Sequence, residues 1–412
     1  MNILYFAHRI PFPPNKGDKL RAFRQLEFLS RSHRVWCACF IDDPKDQRHI
    51  ARLREYCHEL GTIRLRRAGA TLRGLHGMAR GKTFTESYYG SARMTRLIGQ
   101  WCTSVQFDAV VAFSSGMAGY ALRVPAPRRV LDLCDLDSQK WNDYADSSPL
   151  PQSRLYRTEA QRLGAREHAW ISQFDAATLI TRREIELLPP ELRSRVHLVS
   201  NGVEVSPRQS PIANHQSSIP IIGFLGQMDY KPNMDAVCWF AHQCWPLVRK
   251  QFPSAIFRIV GRRPTRAVRR LAGISGIEVT GEVADAGAAI AKFDVNIAPL
   301  HISRGLPNKV LEALAAAKPV VTTSGVAAAL EMKNDAQALI ADTPSAFAAA
   351  TIRLLANPDL RTRLGHAGRE FVIRNFDWQR ELTRLEMIVT GGTRPQNVPE
   401  PRASARAMVL VP

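Results

Sequence analysis

SRGLPNKVLEALAAAKPVVTT, residues 303–323, contains in one run the three parts from which an α/β fold is built. A Gly-Leu-Pro turn leads into an alanine-rich segment that is typical of a helix, and the apolar residues after Lys318 predict a short strand. The alanines favour close packing of this helix against a sheet. Glu312, the only acid of the stretch, is therefore predicted to point away from the sheet, into a ligand cleft.

The same alternation of apolar strands and amphipathic helices runs through the rest of the chain. Strands are predicted at Asn2–Ala7, Arg34–Ile41, Phe107–Phe113, Arg128–Cys134, Ile219–Gly226, Ala255–Gly261, Gly276–Gly281 and Phe293–Leu300. Strands that alternate with helices predict parallel sheets with helices on both faces. We therefore expect an α/β protein with two doubly wound, Rossmann-like domains that face a central cleft.

The composition of residues 201–220 marks the boundary between the halves, since it is rich in Pro, Ser and Asn. We predict an N-terminal domain over residues 1–205, a linker over 206–218 and a C-terminal domain over 219–375. Helices are expected to continue to about residue 390. The Pro/Arg-rich residues 391–412 are predicted to be a disordered tail.

The charge and the cysteines narrow the function classes. The net charge of +19 fits nucleic acid, an anionic membrane or a phosphorylated substrate, or an ordinary solvated surface. Nucleic acid is disfavoured, because zinc-finger spacing, an RNA-binding aromatic box and a helix-turn-helix pairing are all missing. No apolar run reaches the length of a membrane span. The seven cysteines form no C-x-x-C pair, which indicates reduced thiols in a cytosolic protein and no structural metal.

Two loops of the first half follow predicted strands and carry candidate site residues. In HRIPFPPNKGDK, residues 8–19, Gly17 starts a helix whose open backbone N–H groups suit a phosphate, and an ordinary Pro-rich loop is the alternative. In LDLCDLDSQKW, the acids Asp132, Asp135 and Asp137 could serve a sugar hydroxyl, bind a metal or act as a general base, and their spacing does not match an EF-hand loop, which disfavours the metal. Helix capping by Asp137 or Ser138 is the alternative, and it explains Asp135 least well.

Three turns of the second half carry basic residues. Lys231 in FLGQMDYKPN and Arg262 in IVGRRP could meet a phosphate, or could be exposed turn residues. In the opening stretch, Gly305 and Pro307 set a turn before a helix whose N-terminus favours an anion. Lys309 and Glu312 lie one turn apart on that helix. Lys309 suits a phosphate and Glu312 a ribose diol, whereas a surface ion pair worth under about 1 kcal/mol is the alternative.

These residues and motifs resemble a known family. The stretches NGVE, FLGQMDY, IVGRR, VTGEVAD, GLPNKVLEALAAAKPVVTT and NFDWQRELTRLE resemble the family-4 retaining glycosyltransferases of GT-B fold over nearly the whole chain. FPPNKGDKLRAFRQLEFLS and LDLCDLDSQKW more narrowly resemble the sugar transferases associated with exosortase/PEP-CTERM systems, which accompany exopolysaccharide gene clusters.

The resemblance implies roles for individual residues. Glu312 corresponds to the second acid of the family's E-x7-E motif, which holds the donor ribose. Lys309 and the N–H groups from Gly305 to Asn308 would face the donor's sugar and diphosphate. Val283 would meet the nucleobase through its backbone. The helix over residues 376–390 would cross back to the N-terminal domain.

Further positions are implied less directly. Gly17 resembles the glycine beside the diphosphate. Lys231 lies near the family's phosphate-binding lysine, and Arg262 or Arg263 is expected to share that role. Arg304 stands where the family has the first acid of E-x7-E.

The family's N-domain histidine corresponds to Cys134, which is followed by Asp135. The catalytic candidates are therefore Asp135, Arg304 and Lys309, and no metal ligand is assigned.

The resemblance implies a cytoplasmic retaining glycosyltransferase that needs no metal or cofactor beyond its UDP- or GDP-sugar co-substrate. The acceptor would be a lipid-linked or growing exopolysaccharide, and the basic surface fits peripheral attachment to the inner face of the inner membrane, without nucleic acid. Two alternatives stay open: a non-catalytic GT-B subunit of a polysaccharide assembly, and a GT-B nucleotide-sugar epimerase.

Overall fold

The structure is a computed structural model that describes residues 1–204, 219–301 and 305–392. It divides into two compact units. The first holds Met1–Ser200 and the described residues from Gln379 on, and the second holds the described residues from Asn201 to Trp378. The predicted linker over 206–218, most of the predicted tail over 391–412, and Arg304 lie outside the described residues.

Each unit contains one parallel sheet. The strands of the first are β1 (Asn2–Ala7), β2 (Arg34–Ile41), β3 (Glu59–Arg64), β4 (Ala109–Phe113), β5 (Arg128–Cys134), β6 (Ala176–Leu179) and β7 (Val196–Leu198). The strands of the second are β8 (Ile221–Leu225), β9 (Ile256–Val260), β10 (Ile277–Gly281), β11 (Val295–Ala298), β12 (Val320–Thr322) and β13 (Leu339–Ile340).

Helices connect the strands in both units. In the first they are α1 (Gly17–Leu29), α2 (Ile50–Arg54), α3 (Arg67–Ala79), α4 (Phe84–Tyr89), α5 (Ala92–Ser104), α6 (Ala118–Ala121), α7 (Asp137–Asp146), α8 (Gln152–Gln173), α9 (Arg182–Glu186) and α10 (Pro190–Arg193). The later helices are α11 (Lys231–Trp239), α12 (Trp245–Gln251), α13 (Arg266–Arg270), α14 (Ala286–Ala291), α15 (Asn308–Ala315), α16 (Ser324–Leu330), α17 (Pro344–Ala356), α18 (Pro358–Asn375) and α19 (Trp378–Thr390).

Both sheets are doubly wound. The first has the order β3-β2-β1-β4-β5-β6-β7 and the second β10-β9-β8-β11-β12-β13, and every described pairing between these strands is parallel. The strand order reverses beside β1 and beside β8, and ligands of such sheets bind at the carboxyl ends of the strands at these reversal points. The predicted α/β class with two Rossmann-like domains is confirmed.

Burial on both faces of the first sheet explains why its central strands read as continuous apolar runs. Successive side chains of a strand point to opposite faces. In β1, Leu4 and Phe6 enter one core cluster, whereas Ile3, Tyr5 and Ala7 enter the other. Leu385, Ile388 and Val389 of α19 pack into that second cluster, so the C-terminal helix from Gln379 belongs to the first unit.

Two parts of the fold differ from the sequence-based expectation. The residues from β3 to α5 were assigned no elements, because β3 is half-buried and lacks a clear alternation of apolar and polar residues. The helix expected over residues 233–251 begins earlier, at Lys231, and contains a π-helical segment at Phe240–Cys244. Pro246 lies just after that segment and has no N–H to donate, which accounts for the interruption of the regular bonding.

Within the described residues, no helix combines the length and the apolar character needed to cross a membrane. The seven cysteines all belong to the described residues and form no disulfide.

Candidate functional site

The carboxyl end of β8, at the reversal point of the second sheet, is built around a glycine. Gly226 follows β8, and its N–H donates to the carbonyl of Val260 at 3.0 Å. A Cβ added at Gly226 would lie 2.8 Å from both Nζ of Lys309 and Nδ2 of Asn233. The missing side chain therefore makes the space in which the Lys309 ammonium group lies.

Lys309 reaches this space from the second position of α15. Its Nζ donates a hydrogen bond to Oδ1 of Asn233 and lies 4.2 Å from the centroid of the Phe224 ring, within the range of a cation–π contact. Burial lowers the pKa of Lys309 to about 7, and the nearby Glu312 opposes this shift only in part. Near neutral pH the Lys309 side chain is therefore only partly protonated, and a bound anion would raise the protonated fraction.

Glu312 lies one turn further along α15. Its side-chain carboxylate makes no hydrogen bond to any residue that the structure describes, whereas Lys309 bonds to an amide rather than to a carboxylate. The alternative of a Lys309–Glu312 surface ion pair is therefore not observed. Burial raises the pKa of Glu312 to about 7, and Lys309 opposes the shift. A half-buried acceptor that makes no hydrogen bond to a described residue is suited to take hydrogen bonds from a ligand.

The turn before α15 leaves backbone donors open. Gly305 has φ +64°, in the left-handed region that favours glycine. The helix begins at Asn308, so Pro307 lies just before it and not at the first helical position. The backbone N–H groups of Asn308 and Lys309 donate to no described residue. They provide the helix N-terminus with the donors that an anion needs.

The turns after β8, β9 and β10 lie together at one edge of the second sheet, as the parallel arrangement predicts. The N–H of Met228 donates to the carbonyl of Arg262 at 3.0 Å, and that of Gly261 to the carbonyl of Gly281 at 2.8 Å. Val283 follows in the loop after β10 and is partly buried.

The three other basic candidates of the second unit already have protein partners. Nζ of Lys231 lies 2.7 Å from Oδ2 of Asp235 on the exposed side of α11, and a guanidinium nitrogen of Arg262 donates to Oε1 of Gln227 at 3.1 Å. A guanidinium nitrogen of Arg263 lies 3.7 Å from Oδ2 of Asp229. Of the four candidate cations in the described part of this unit, Lys309 is the one that points into the space beside Gly226.

In the first unit, the loop after β1 contains an ionic cluster. Nε2 of His8 and a guanidinium nitrogen of Arg9 lie 3.3 and 3.0 Å from Oδ2 of Asp18, in the first turn of α1. Burial alone would favour neutral Asp18, but the His8 hydrogen bond and the Arg9 charge hold its pKa well below the usual range. Gly17 is exposed and begins α1, so the predicted phosphate contact would lie beside an existing carboxylate.

The end of β5 holds Asp135 in an unusual setting. Cys134 has φ +64°, a strained value for a residue with a side chain, and its N–H donates to Oδ1 of the fully buried Asp132 at 2.9 Å. Asp132 also pairs with Arg21, whose Nε lies 3.0 Å away. Oδ1 of Asp135 is buried without a hydrogen-bond partner, and burial raises its pKa to about 6 against the opposing charge of Lys140.

The capping alternative for Asp137 and Ser138 is wrong. The residue at the N-cap position of α7 is Leu136, which has no side chain able to cap the helix. Asp137 instead accepts a hydrogen bond from Oγ of Ser115 at 2.5 Å. The N–H of Ser138 donates to Oε1 of the buried Glu167 at 3.2 Å. Asp137 is therefore held by Ser115 rather than used to cap the helix.

Several residues of these sites were not assigned from the sequence. Asn233 orients Lys309, Gln227 accepts from Arg262, and Nδ2 of Asn201 donates at 3.3 Å to Oδ1 of Asn308, which was assigned. His8 comes directly after β1. The only available signal was that most of these polar residues follow a strand end or a glycine turn. Among residues 1–204, 219–301 and 305–392, no three His, Cys, Asp or Glu side chains could hold a metal ion together.

Comparison with known proteins adds to this geometry. Residues 219–357, about a third of the chain, match the family model described as glycosyl transferases group 1. The matched region includes Lys309, Glu312 and the β8 turn. No curated protein sequence matches the chain.

Solved structures of low sequence identity share the fold. Alr3699/HepE from Anabaena, in complex with UDP and glucose, is 13% identical with a TM-score of 0.65, covering 95% of this chain and 100% of that one. Sucrose-phosphate synthase from Thermosynechococcus elongatus is 17% identical with a TM-score of 0.69, covering 94% and 98%. WaaG, a glycosyltransferase involved in lipopolysaccharide biosynthesis, is 16% identical with a TM-score of 0.62, covering 95% and 100%. The chain thus has the two parallel-sheet, Rossmann-like domains of GT-B glycosyltransferases.

Proposed function

We propose that this protein is a retaining glycosyltransferase that moves a sugar from a nucleotide diphosphate donor to a lipid-linked or growing exopolysaccharide acceptor. One observation carries the proposal. At the reversal point of the second sheet, Lys309 lies in the space left by Gly226, one turn before a carboxylate without a protein partner, inside the region that matches a glycosyltransferase family.

The donor's diphosphate would bind at the start of α15. The open N–H groups of Asn308 and Lys309, the positive end of the helix dipole and the Lys309 ammonium group supply complementary charge there. The Asp235 partner of Lys231 makes that lysine the weaker candidate for the same role. Arg262 contributes from the neighbouring turn.

Glu312 would accept hydrogen bonds from the donor ribose, and the backbone at Val283 would meet the nucleobase. A carboxylate offers two oxygens to a vicinal diol. HepE was crystallised with UDP and with UDP-glucose, and these complexes support a UDP-sugar as the donor, with a GDP-sugar as the other candidate.

The chemistry requires stabilisation of the departing diphosphate. Preorganised N–H groups and cations at this position lower the barrier electrostatically, without metal or cofactor in the proposed mechanism. The leaving phosphate would act as the base for front-face attack, so no protein nucleophile is assigned. Arg304, in the position of the family's first acid, is proposed to contact the diphosphate or an anionic donor sugar. Asp135 and Gly17 are proposed to meet the transferred sugar and the diphosphate from the first unit.

A non-catalytic GT-B subunit of a polysaccharide assembly is the second candidate, and Arg304 is the residue that favours it. An arginine reverses the charge of an acid that contacts the donor sugar in the family that the chain resembles. Such a subunit would bind a nucleotide sugar, or none, without consuming it. The exosortase association and attachment to the inner face of the inner membrane are part of the proposal for the catalytic protein.

Turnover separates the two candidates. UDP- and GDP-sugars are incubated with the protein and a bacterial membrane extract, and both the released nucleoside diphosphate and the glycosylated lipid are measured. The catalytic proposal expects one donor to be consumed, with retention of the anomeric configuration in the product. Binding of a sugar nucleotide without any consumption would favour the non-catalytic subunit.

A further inference from the structure

Helix α3 of the first unit packs through a face made of small residues. Its buried residues are Ala70, Gly74, Gly77 and Met78. A Cβ added at Gly74 would overlap the Phe84 ring, and one at Gly77 would overlap the Ser87 side chain. The two glycines therefore allow α3 to lie directly on α4, and the other side of the helix is left without a covering element in the described structure.

That outer side carries an apolar stripe. At 100° per residue, Ala68, Leu72, Leu75 and Ala79 line up opposite the packed face. Leu72 is 68% exposed and Leu75 is 44% exposed, which places both among the most exposed large apolar side chains of this unit. Two leucines aligned on one helical stripe and turned to solvent form an exposed apolar patch, and larger patches of this kind are found at interaction surfaces.

Basic residues lie before and after α3 and within it. Residues 60–85 contain six Arg and Lys and no Asp or Glu. The four that are exposed and make no side-chain ion pair or hydrogen bond with a described residue are Arg64, Arg66, Arg80 and Lys82. Arg67 pairs with Asp42, and Arg73 donates to the carbonyl of Tyr88 at 3.1 Å. The positive charge of this face is thus mostly unbalanced by the protein itself.

We propose that this α3 face docks the protein on the surface of an anionic lipid bilayer. Leu72 and Leu75 enter the interface between headgroups and acyl chains, and the flanking basic residues contact the lipid phosphates. The exposed leucines and the basic residues together favour a lipid surface over nucleic acid, because nucleic acid would be bound by the basic residues but offers no apolar phase for the leucines. The α3 face would provide the membrane attachment that belongs to the proposed function. The proposal rests on that function only for the location of the acceptor.

The test is co-sedimentation of the full chain with vesicles of phosphatidylcholine, alone or mixed with phosphatidylglycerol, without any nucleotide sugar. We expect binding to the mixed vesicles that weakens as salt is added. Leu72→Ser should weaken it about tenfold, since most of that side chain is free to be buried. The double variant Arg80→Glu/Lys82→Glu should weaken it by more than about tenfold.

Matched controls make the same chemical changes elsewhere. Leu150, which is 67% exposed, is changed to Ser, and Arg266 and Arg269 of α13 are changed to Glu. These controls should bind vesicles within about twofold of the wild type, since the apolar and electrostatic contacts at α3 are intact. Equal losses in controls and α3 variants would show diffuse charge attraction and overturn the proposal.

Two further outcomes separate this proposal from the proposed function. If the wild type does not bind mixed vesicles, the docking surface is refuted even where sugar transfer is observed. If the wild type instead self-associates and Leu72→Ser does not, the α3 face binds a second copy of the chain. If vesicles bind through α3 but no donor is consumed, the docking surface stands and the catalytic proposal fails.

Discussion

Replacing Lys309 by Met tests the diphosphate subsite. Methionine keeps much of the length of the lysine stem and suits the neighbouring Phe224 ring, but it removes the ammonium group and its bond to Asn233. A hydrogen bond to a charged phosphate contributes about 1.5–3 kcal/mol, so nucleoside diphosphate affinity should fall about 10- to 150-fold at pH 6, where the lysine is protonated.

The loss should depend on pH. Burial lowers the pKa of Lys309 to about 7 in the free protein. At pH 8, protonation before binding therefore costs the wild type about 1.4 kcal/mol, which reduces the advantage over Met about tenfold. The difference between wild type and variant should accordingly be largest below pH 7 and should shrink as the pH rises through 7.

Calorimetric titration with UDP and GDP from pH 6 to pH 8 measures both effects. Lys231→Met is the matched control, because Lys231 is exposed and paired with Asp235, and its loss should change affinity by less than about threefold. Thermal melting of each variant verifies folding. Equal affinity of Lys309→Met and the wild type at pH 6, with an intact fold, would refute the assignment of Lys309 to the diphosphate.

The remaining predictions concern packing and buried charge. Gly226→Ala should weaken nucleotide binding by more free energy than it takes from the free energy of unfolding, because the new Cβ would lie 2.8 Å from Nζ of Lys309. Calorimetric titration measures the first loss and thermal melting the second. Arg21→Met should destabilise the first unit by about 3–5 kcal/mol in urea unfolding, since it leaves Asp132 charged and buried, and a loss below about 1 kcal/mol would contradict this. Burial raises the pKa of Glu167 to about 8, so the folded state binds its proton more tightly than the unfolded chain. Stability should therefore fall by up to about 1.4 kcal/mol per pH unit from pH 5 to 8, and Glu167→Gln should remove that slope.

The sequence predicted the architecture well where burial is complete. β2 and β5 were predicted with their observed bounds, because the middle of each strand is covered on both faces and is mostly apolar. β3 and the helices from α3 to α5 escaped prediction, since β3 lies at the sheet edge and α3 exposes leucines that a helix of this kind normally buries.

The candidate site was predicted in its residues more than in its contacts. Gly305, Lys309 and Glu312 could be chosen because a turn, a helix start and a lone acid are local patterns. The bond from Lys309 to Asn233 spans 76 residues and depends on the packing of α15 against the end of β8, which no local pattern shows. For the same reason, the sequence could not decide between a Lys309–Glu312 ion pair and a free carboxylate.

The central claim is that Glu312 holds the ribose of a donor nucleotide. The most direct measurement compares the affinities of UDP and GDP with those of their 2′,3′-dideoxy analogues, in the wild type and in Glu312→Gln. Loss of hydrogen bonds to a carboxylate should weaken binding of the dideoxy analogue to the wild type about tenfold or more. Glu312→Gln should lose most of this discrimination. If the ratio of the nucleotide affinity to the dideoxy-analogue affinity is the same in Glu312→Gln as in the wild type, the assignment of Glu312 to the ribose is contradicted.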